Sequence, residues 1–136
     1  IGGQASLQMK LIEKLHVDAD LFLGGAVNRT DDALLPMHPA VDLRGRAEYA
    51  ITEQLTGSAT VQFQTEQRTA IAPTNLPSDQ QTIGARFLLG AGGNYRVNDN
   101  LQAFAEVTNL LGMKYNLWRG YEAPGIELRA GVRVKF

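Results

Sequence analysis

The sequence predicts an all-β chain folded as an antiparallel up-and-down barrel, and three observations carry that expectation. Apolar and polar residues alternate with period 2 through about seven segments of roughly 8–12 residues, near the length of a tilted membrane-crossing strand. Short polar connections alternate with long ones, and all five prolines (Pro36, Pro39, Pro73, Pro77, Pro124) fall in the long ones. That is where proline belongs if every strand N–H is needed for a ladder. The polar side of the strands also carries fixed charges of both signs, which suits a hydrated interior.

In chain order, Ala5, Leu7, Met9 and Leu11 stand opposite Ser6, Gln8 and Lys10, and Glu13 to His16 reads as a short polar turn. Val17, Ala19, Leu21, Leu23 and Val27 then share a face opposite Asp18, Asp20, Phe22 and Asn28. After a long connection from Arg29 to Ala40, Val41, Leu43, Gly45, Ala47, Tyr49 and Ile51 alternate with Asp42, Arg44, Arg46, Glu48 and Ala50. Thr52 to Gln54 is short, and Leu55, Gly57, Ala59, Val61 and Phe63 alternate with Thr56, Ser58, Thr60, Gln62 and Gln64. Thr65 to Thr82 is long. Ile83, Ala85, Phe87, Leu89 and Ala91 follow, with Leu88 interrupting their polar side. Gly90-Ala91-Gly92-Gly93 is no phosphate loop, because Asn94-Tyr95 continue the strand and no helix follows; glycine there permits curvature or close strand packing.

Arg96 to Asn100 is a short connection in which Asn98-Asp99-Asn100 signals a turn. Leu101, Ala103, Ala105 and Val107 alternate with Gln102, Phe104, Glu106 and Thr108, and Leu111 to Gly125 is long. The last segment is the cleanest. From Ile126 to Phe136 every even position is apolar, against Glu127, Arg129, Gly131, Arg133 and Lys135. At helical spacing those charges would spread around the whole circumference, so the segment is a strand with two unlike faces.

Composition narrows the function classes. The 136 residues include no cysteine, which excludes a disulfide scaffold, a Cys-ligated zinc and a thiol nucleophile. A net charge of −1 gives no electrostatic footprint for nucleic acid. Mean hydropathy is −0.16, with no apolar run near the roughly 18 residues of a spanning helix. Alternation dilutes the lipid-facing residues of a barrel, so a membrane β-barrel stays open.

Parity alone does not say which face is wet. A soluble lipocalin-like barrel would turn the apolar face inward, and a membrane barrel would turn it outward. Three features favour lipid: the mixed charges on the polar face, the short turns on one rim against long loops on the other, and Tyr49, Tyr95 and Phe136 on the apolar face near the short-turn rim. Those aromatics would lie at headgroup level. The expected lumen charge network comprises Asp18, Asp20, Arg44, Arg46, Glu48, Arg86, Glu106, Glu127, Arg129 and Arg133, joined by cross-strand ion pairs.

A family resemblance enters at the C-terminus. Val107-Thr108-Asn109-Leu110-Leu111-Gly112-Met113-Lys114-Tyr115, Trp118, Gly120-Tyr121, Pro124-Gly125 and the alternating strand ending in Phe136 resemble the end of TonB-dependent outer-membrane receptors. Ile126 stands where that family carries a basic residue. The resemblance implies the C-terminal part of a transporter barrel of about 22 strands, in the bacterial outer membrane, with energised uptake of a scarce ligand (siderophore, cobalamin or glycan class) as parent function. It implies outer-membrane lipid, the remaining strands and plug of one polypeptide, and a TonB-type energy-coupling protein as partners. It makes Phe136 the signal read by the outer-membrane assembly machinery. Residues 1–136 are then expected to be a C-terminal barrel segment, with no plug domain among them. The alternatives are a small autonomous outer-membrane barrel with a structural or adhesive role, and a soluble lipocalin-like carrier.

No catalytic or metal site and no cofactor are expected. His16 lies in a short turn and His38 at the opposite rim, too far apart to share a metal. Asp18 and Asp20 read as ion-pair partners of Lys10, Arg44 and Arg46 rather than as an acid/base pair. Asp31, Asp32, Met37 and His38 belong to a solvated loop. Tyr115, Trp118, Arg119 and Tyr121 in the last long loop are candidate extracellular ligand or partner contacts. The competing assignment places Tyr115, Trp118 and Tyr121 in an outer aromatic girdle.

Overall fold

The computed structural model describes residues 1–25, 27–28, 33–34, 38–68, 82–118 and 120–136. Asp31, Asp32, Pro36, Met37, Pro73, Pro77 and Arg119 lie outside the described residues. The strands are β1 (Gly2–Ile12), β2 (Leu15–Gly24), β3 (Val27–Asn28), β4 (Ala33–Leu34), β5 (Val41–Ala50), β6 (Leu55–Gln64) and β7 (Gln67–Arg68). They continue with β8 (Thr82–Ile83), β9 (Arg86–Arg96), β10 (Leu101–Thr108), β11 (Asn116–Trp118), β12 (Tyr121–Glu122) and β13 (Glu127–Val134). One seven-stranded sheet runs β1-β2-β5-β6-β9-β10-β13, and every neighbouring pair in it is antiparallel. The all-β meander expected from the alternation is therefore the observed fold.

Three differences concern the connections. Each long one contains a two-stranded ribbon, β3-β4, β7-β8 or β11-β12. Val27 and Ile83, expected on long strands, belong to these ribbons, with breaks at Gly25 and at Gly84–Ala85. Leu15 and His16, expected in a turn, pair with Tyr49 and Glu48 as the first residues of β2. A two-residue ribbon is too short to carry a readable period, and ladder bonds extend strands beyond the residues that alternation marks.

The short turns are built as their residues dictate. Thr52 Oγ1 accepts from the Gln54 and Leu55 N–H groups at 3.2 and 3.0 Å, and Asn98 Oδ1 accepts from the Asn100 N–H at 2.9 Å. Side chains of this kind imitate a backbone turn. Arg96 joins the two turns by donating from Nη2 to the Glu53 carbonyl at 2.8 Å.

Register carries one apolar face across the whole sheet. A single row of ladder partners runs Met9, Val17, Ala47, Ala59, Ala91, Val107, Leu128. It starts near the short-turn end of β1 and finishes near the long-loop end of β13, the stagger of tilted barrel strands. The adjacent polar row runs Lys10, His16, Glu48, Ser58, Gly92, Glu106, Arg129. Two aromatics break the polar side, and each lies against glycine. Phe104 is the ladder partner of Gly131, and a Cβ on Gly24 would come within 2.6 Å of the Phe22 ring.

The seven-stranded sheet has no buried apolar core among the described residues. The buried hydrophobic residues are Ile83 and Ala123, both outside the sheet. Leu7, Met9, Leu11, Tyr49, Phe87, Tyr95, Leu128, Val132 and Val134 are all exposed on one side. Covering a large apolar side chain is worth about 1.5–3 kcal/mol, so a face of this extent requires an apolar environment. A lipocalin-like arrangement would have packed these same residues inward.

Candidate functional site

The site has two parts, the charged face and the last long connection. On the charged face, Arg44 donates from Nε and Nη2 to the two Asp42 carboxylate oxygens at 3.2 and 3.1 Å. Arg46 holds Glu48 Oε1 at 2.8 Å from Nε and 2.7 Å from Nη2. Both pairs run along β5, which corrects the expectation of ion pairs across strands. The register does set Asp20 opposite Arg44, Asp18 opposite Arg46 and Glu106 opposite Arg129. Yet the long guanidinium stem reaches the carboxylate two residues away on its own strand, and Asp20 already accepts from Ser6 Oγ at 2.6 Å. Among the described residues, the side-chain bonds that cross the sheet's strands join neutral groups to charged ones: Ser6 to Asp20, Arg133 to Gln102 at 3.2 Å, and Thr108 to Glu127 at 3.4 Å.

Farther along this face a cleft of about 290 Å³ is lined by Arg46, Ser58, Asn94, Glu106, Arg129 and Arg133, among others. Its lining carries three cations and one carboxylate, with Arg46 already held by Glu48, and Gly92, the ladder partner of Ser58 and Glu106, leaves its floor low. His16 and His38 lie at opposite rims, and no group of three His, Cys, Asp or Glu among the described residues is placed to hold a metal ion.

The last long connection is built around Asn109, which sequence reasoning quoted only as part of a motif. It is 4 % exposed and adopts a φ of 51°. Past it, Tyr115 stands over the Arg86 guanidinium, 5.5 Å from ring centroid to carbon. Arg86 is the ladder partner of Gln64 on the charged face, so Tyr115 belongs to that side and not to the apolar one. Trp118 and Tyr121 are partners in the β11-β12 ribbon and are 61 % and 64 % exposed. Of the four aromatic and basic candidates, the structure therefore brings Trp118 and Tyr121 together and sets Tyr115 apart, while Arg119 is not described.

At the other rim, Tyr49 and Tyr95 each occupy the penultimate residue of their strands on the apolar side. Tyr95 donates its hydroxyl to Gln54 Oε1 at 3.4 Å. Phe136 lies just past β13 and is fully exposed.

No known family's sequence profile matches the chain, and no curated relative does. Solved structures do match. The ferric enterobactin receptor of Pseudomonas aeruginosa is similar over 98% of this chain and 22% of its own, with TM-score 0.82 at 19% identity. The siderophore receptor PirA from Acinetobacter baumannii matches over 99% of this chain and 22% of its own, with TM-score 0.81 and 16% identity. The copper transporter OprC matches over 99% and 23%, with TM-score 0.79 and 20% identity. The chain thus spans about a fifth of the length of each of these proteins. Its fold is that of an arc of an outer-membrane receptor barrel, the architecture implied by the resemblance to TonB-dependent receptors.

Proposed function

We propose that residues 1–136 form the C-terminal arc of a TonB-dependent receptor barrel in the bacterial outer membrane, within a polypeptide that imports a scarce ligand of the siderophore class. The observation that carries this reading is the uncovered apolar face continuous across seven strands, backed by a charged face. Lipid covers the first, and the second lines an aqueous lumen that the plug of the same polypeptide fills. Energy coupling comes through a TonB-type protein acting on the plug, and Phe136 serves the assembly machinery. Tyr49 and Tyr95 mark the inner headgroup level.

Strand direction supports further strands over self-closure. β1 leads into the short turn at Glu13–Lys14, and β13 ends beside the short turn at Asn100, whose carbonyl accepts from the Lys135 N–H at 2.9 Å. Both strands therefore run toward the same rim. Closing β1 on β13 would require a parallel pair in an otherwise antiparallel sheet, and so would joining copies of this chain in one membrane orientation. An odd number of additional strands restores antiparallel closure.

The test is the intact mass, extraction behaviour and gel mobility of the native polypeptide containing Phe136. A mass several tens of kDa above this chain, release only by detergent and a heat-dependent mobility shift are expected. A 15 kDa membrane species would instead establish an autonomous barrel. A chain that is soluble and monomeric without detergent would overturn both.

A further inference from the structure

The geometry points to Asn109 as the positioning residue of the last long connection: its amide fixes the direction in which Trp118 and Tyr121 leave the barrel rim. One side chain holds both ends of the arm. Asn109 Oδ1 accepts from the Met113 N–H at 2.9 Å, while Nδ2 donates to the Met113 carbonyl at 2.9 Å and to the Gly125 carbonyl at 3.1 Å. The amide thus pairs with both backbone groups of Met113 as a neighbouring strand would, and it ties that residue to the far end of the connection.

The residue type follows from the backbone. A φ of 51° is left-handed, a conformation that Asn and Asp adopt more readily than other side-chain-bearing residues. Glycine would adopt it too but could not supply the amide. The Gly112 N–H closes the turn on the Asn109 carbonyl at 2.8 Å, with Gly112 itself at φ 60°.

Secondary struts brace the arm against β9. The Leu110 N–H donates to the Leu89 carbonyl at 2.9 Å, and the Phe87 N–H donates to Met113 Sδ at 3.2 Å. Tyr115 rests on Arg86, and its carbonyl accepts from the Ala123 N–H at 2.8 Å, narrowing the neck below the ribbon. Trp118 and Tyr121 are therefore presented as a preset pair, and a partner contacting them meets no ordering penalty at the base of the arm. This holds whatever the barrel transports.

The experiment compares Asn109→Gly with the parent polypeptide, folded in detergent, by site-resolved hydrogen exchange and trypsin cleavage after Lys114. Glycine keeps the left-handed φ and removes the amide but also frees the backbone, so Asn109→Asp, which keeps the side-chain constraint and loses the two Nδ2 donations, should show the same confined rise. Exchange across residues 110–126 and cleavage after Lys114 should rise about tenfold, the factor by which losing one buried hydrogen-bonding group shifts a local opening. β9, β10, β13 and the heat-dependent mobility shift should be unchanged. Unchanged exchange in 110–126 would overturn the proposal, because backbone conformation alone would then suffice. A uniform rise through β9, β10 and β13 would overturn it equally, because Asn109 would then be a general stability residue. If the variant does not assemble, Tyr115→Leu tests the same arm with the amide intact: a smaller rise confined to 110–126 supports the proposal, and no change counts against it.

Discussion

The ring of Phe104 lies across Gly131 of the neighbouring strand, so near that a Cβ at position 131 would come within 2.9 Å of ring carbon Cζ. The two are direct ladder partners on the charged face. An aromatic laid over a strand glycine covers backbone that would otherwise lack a side chain above it. Gly131→Ala should therefore destabilise the folded barrel by about 1–3 kcal/mol through overpacking. Denaturant unfolding in detergent measures this, and the double variant with Phe104→Leu should recover most of the loss. If Gly131→Ala costs as much in the Phe104→Leu background as in the parent, the ring is not the obstacle.

Leu7 and Gln8 are adjacent on β1 and point to opposite faces. Leu7→Arg, on the apolar side near mid-strand, should destabilise insertion into vesicles by about 2–4 kcal/mol. Gln8→Arg, whose ladder partner is Asp18, should change stability by less than about 1 kcal/mol. Equal effects would contradict the assignment of faces.

In the pair Arg44–Asp42 the guanidinium side chain is 64 % exposed and the Asp42 side chain 20 %. Asp42→Asn should lower stability by about 0–1 kcal/mol, and the difference should shrink as salt is raised. A loss that is large and insensitive to salt would mean that the pair is desolvated in the assembled barrel.

Orientation can be read by labelling single cysteines, since these residues contain none. In whole cells a membrane-impermeant maleimide should modify Trp118→Cys, and it should modify Asp99→Cys only after the outer membrane is permeabilised. The reverse pattern would invert the topology.

The sheet is largely legible because it is written in period 2. Parity assigns Leu43, Gly45 and Ala47 to one face and Arg44 and Arg46 to the other, and the register keeps them so. What the sequence does not expose are choices of partner. Arg44 has Asp18, Asp20, Asp42 and Glu48 as acidic residues on one face, and only three-dimensional reach selects Asp42. Asn109 is likewise illegible from its neighbours, since its bonds span 4 and 16 residues. The motif around it marks the position but not the reason. Alternation assigns Ile83 to the wrong element because two consecutive ladder residues, Thr82 and Ile83, contain no full period.

The ladder row from Met9 to Leu128 crosses the sheet obliquely, entering near the short-turn end of β1 and leaving near the long-loop end of β13. In a bilayer the two residues would consequently meet different leaflets, Met9 the inner one and Leu128 the outer one. Hydrogen-bond neighbours in this arc would then wind like a screw thread across the bilayer, so the lipid chemistry met at each apolar position would follow its height and not its ladder row.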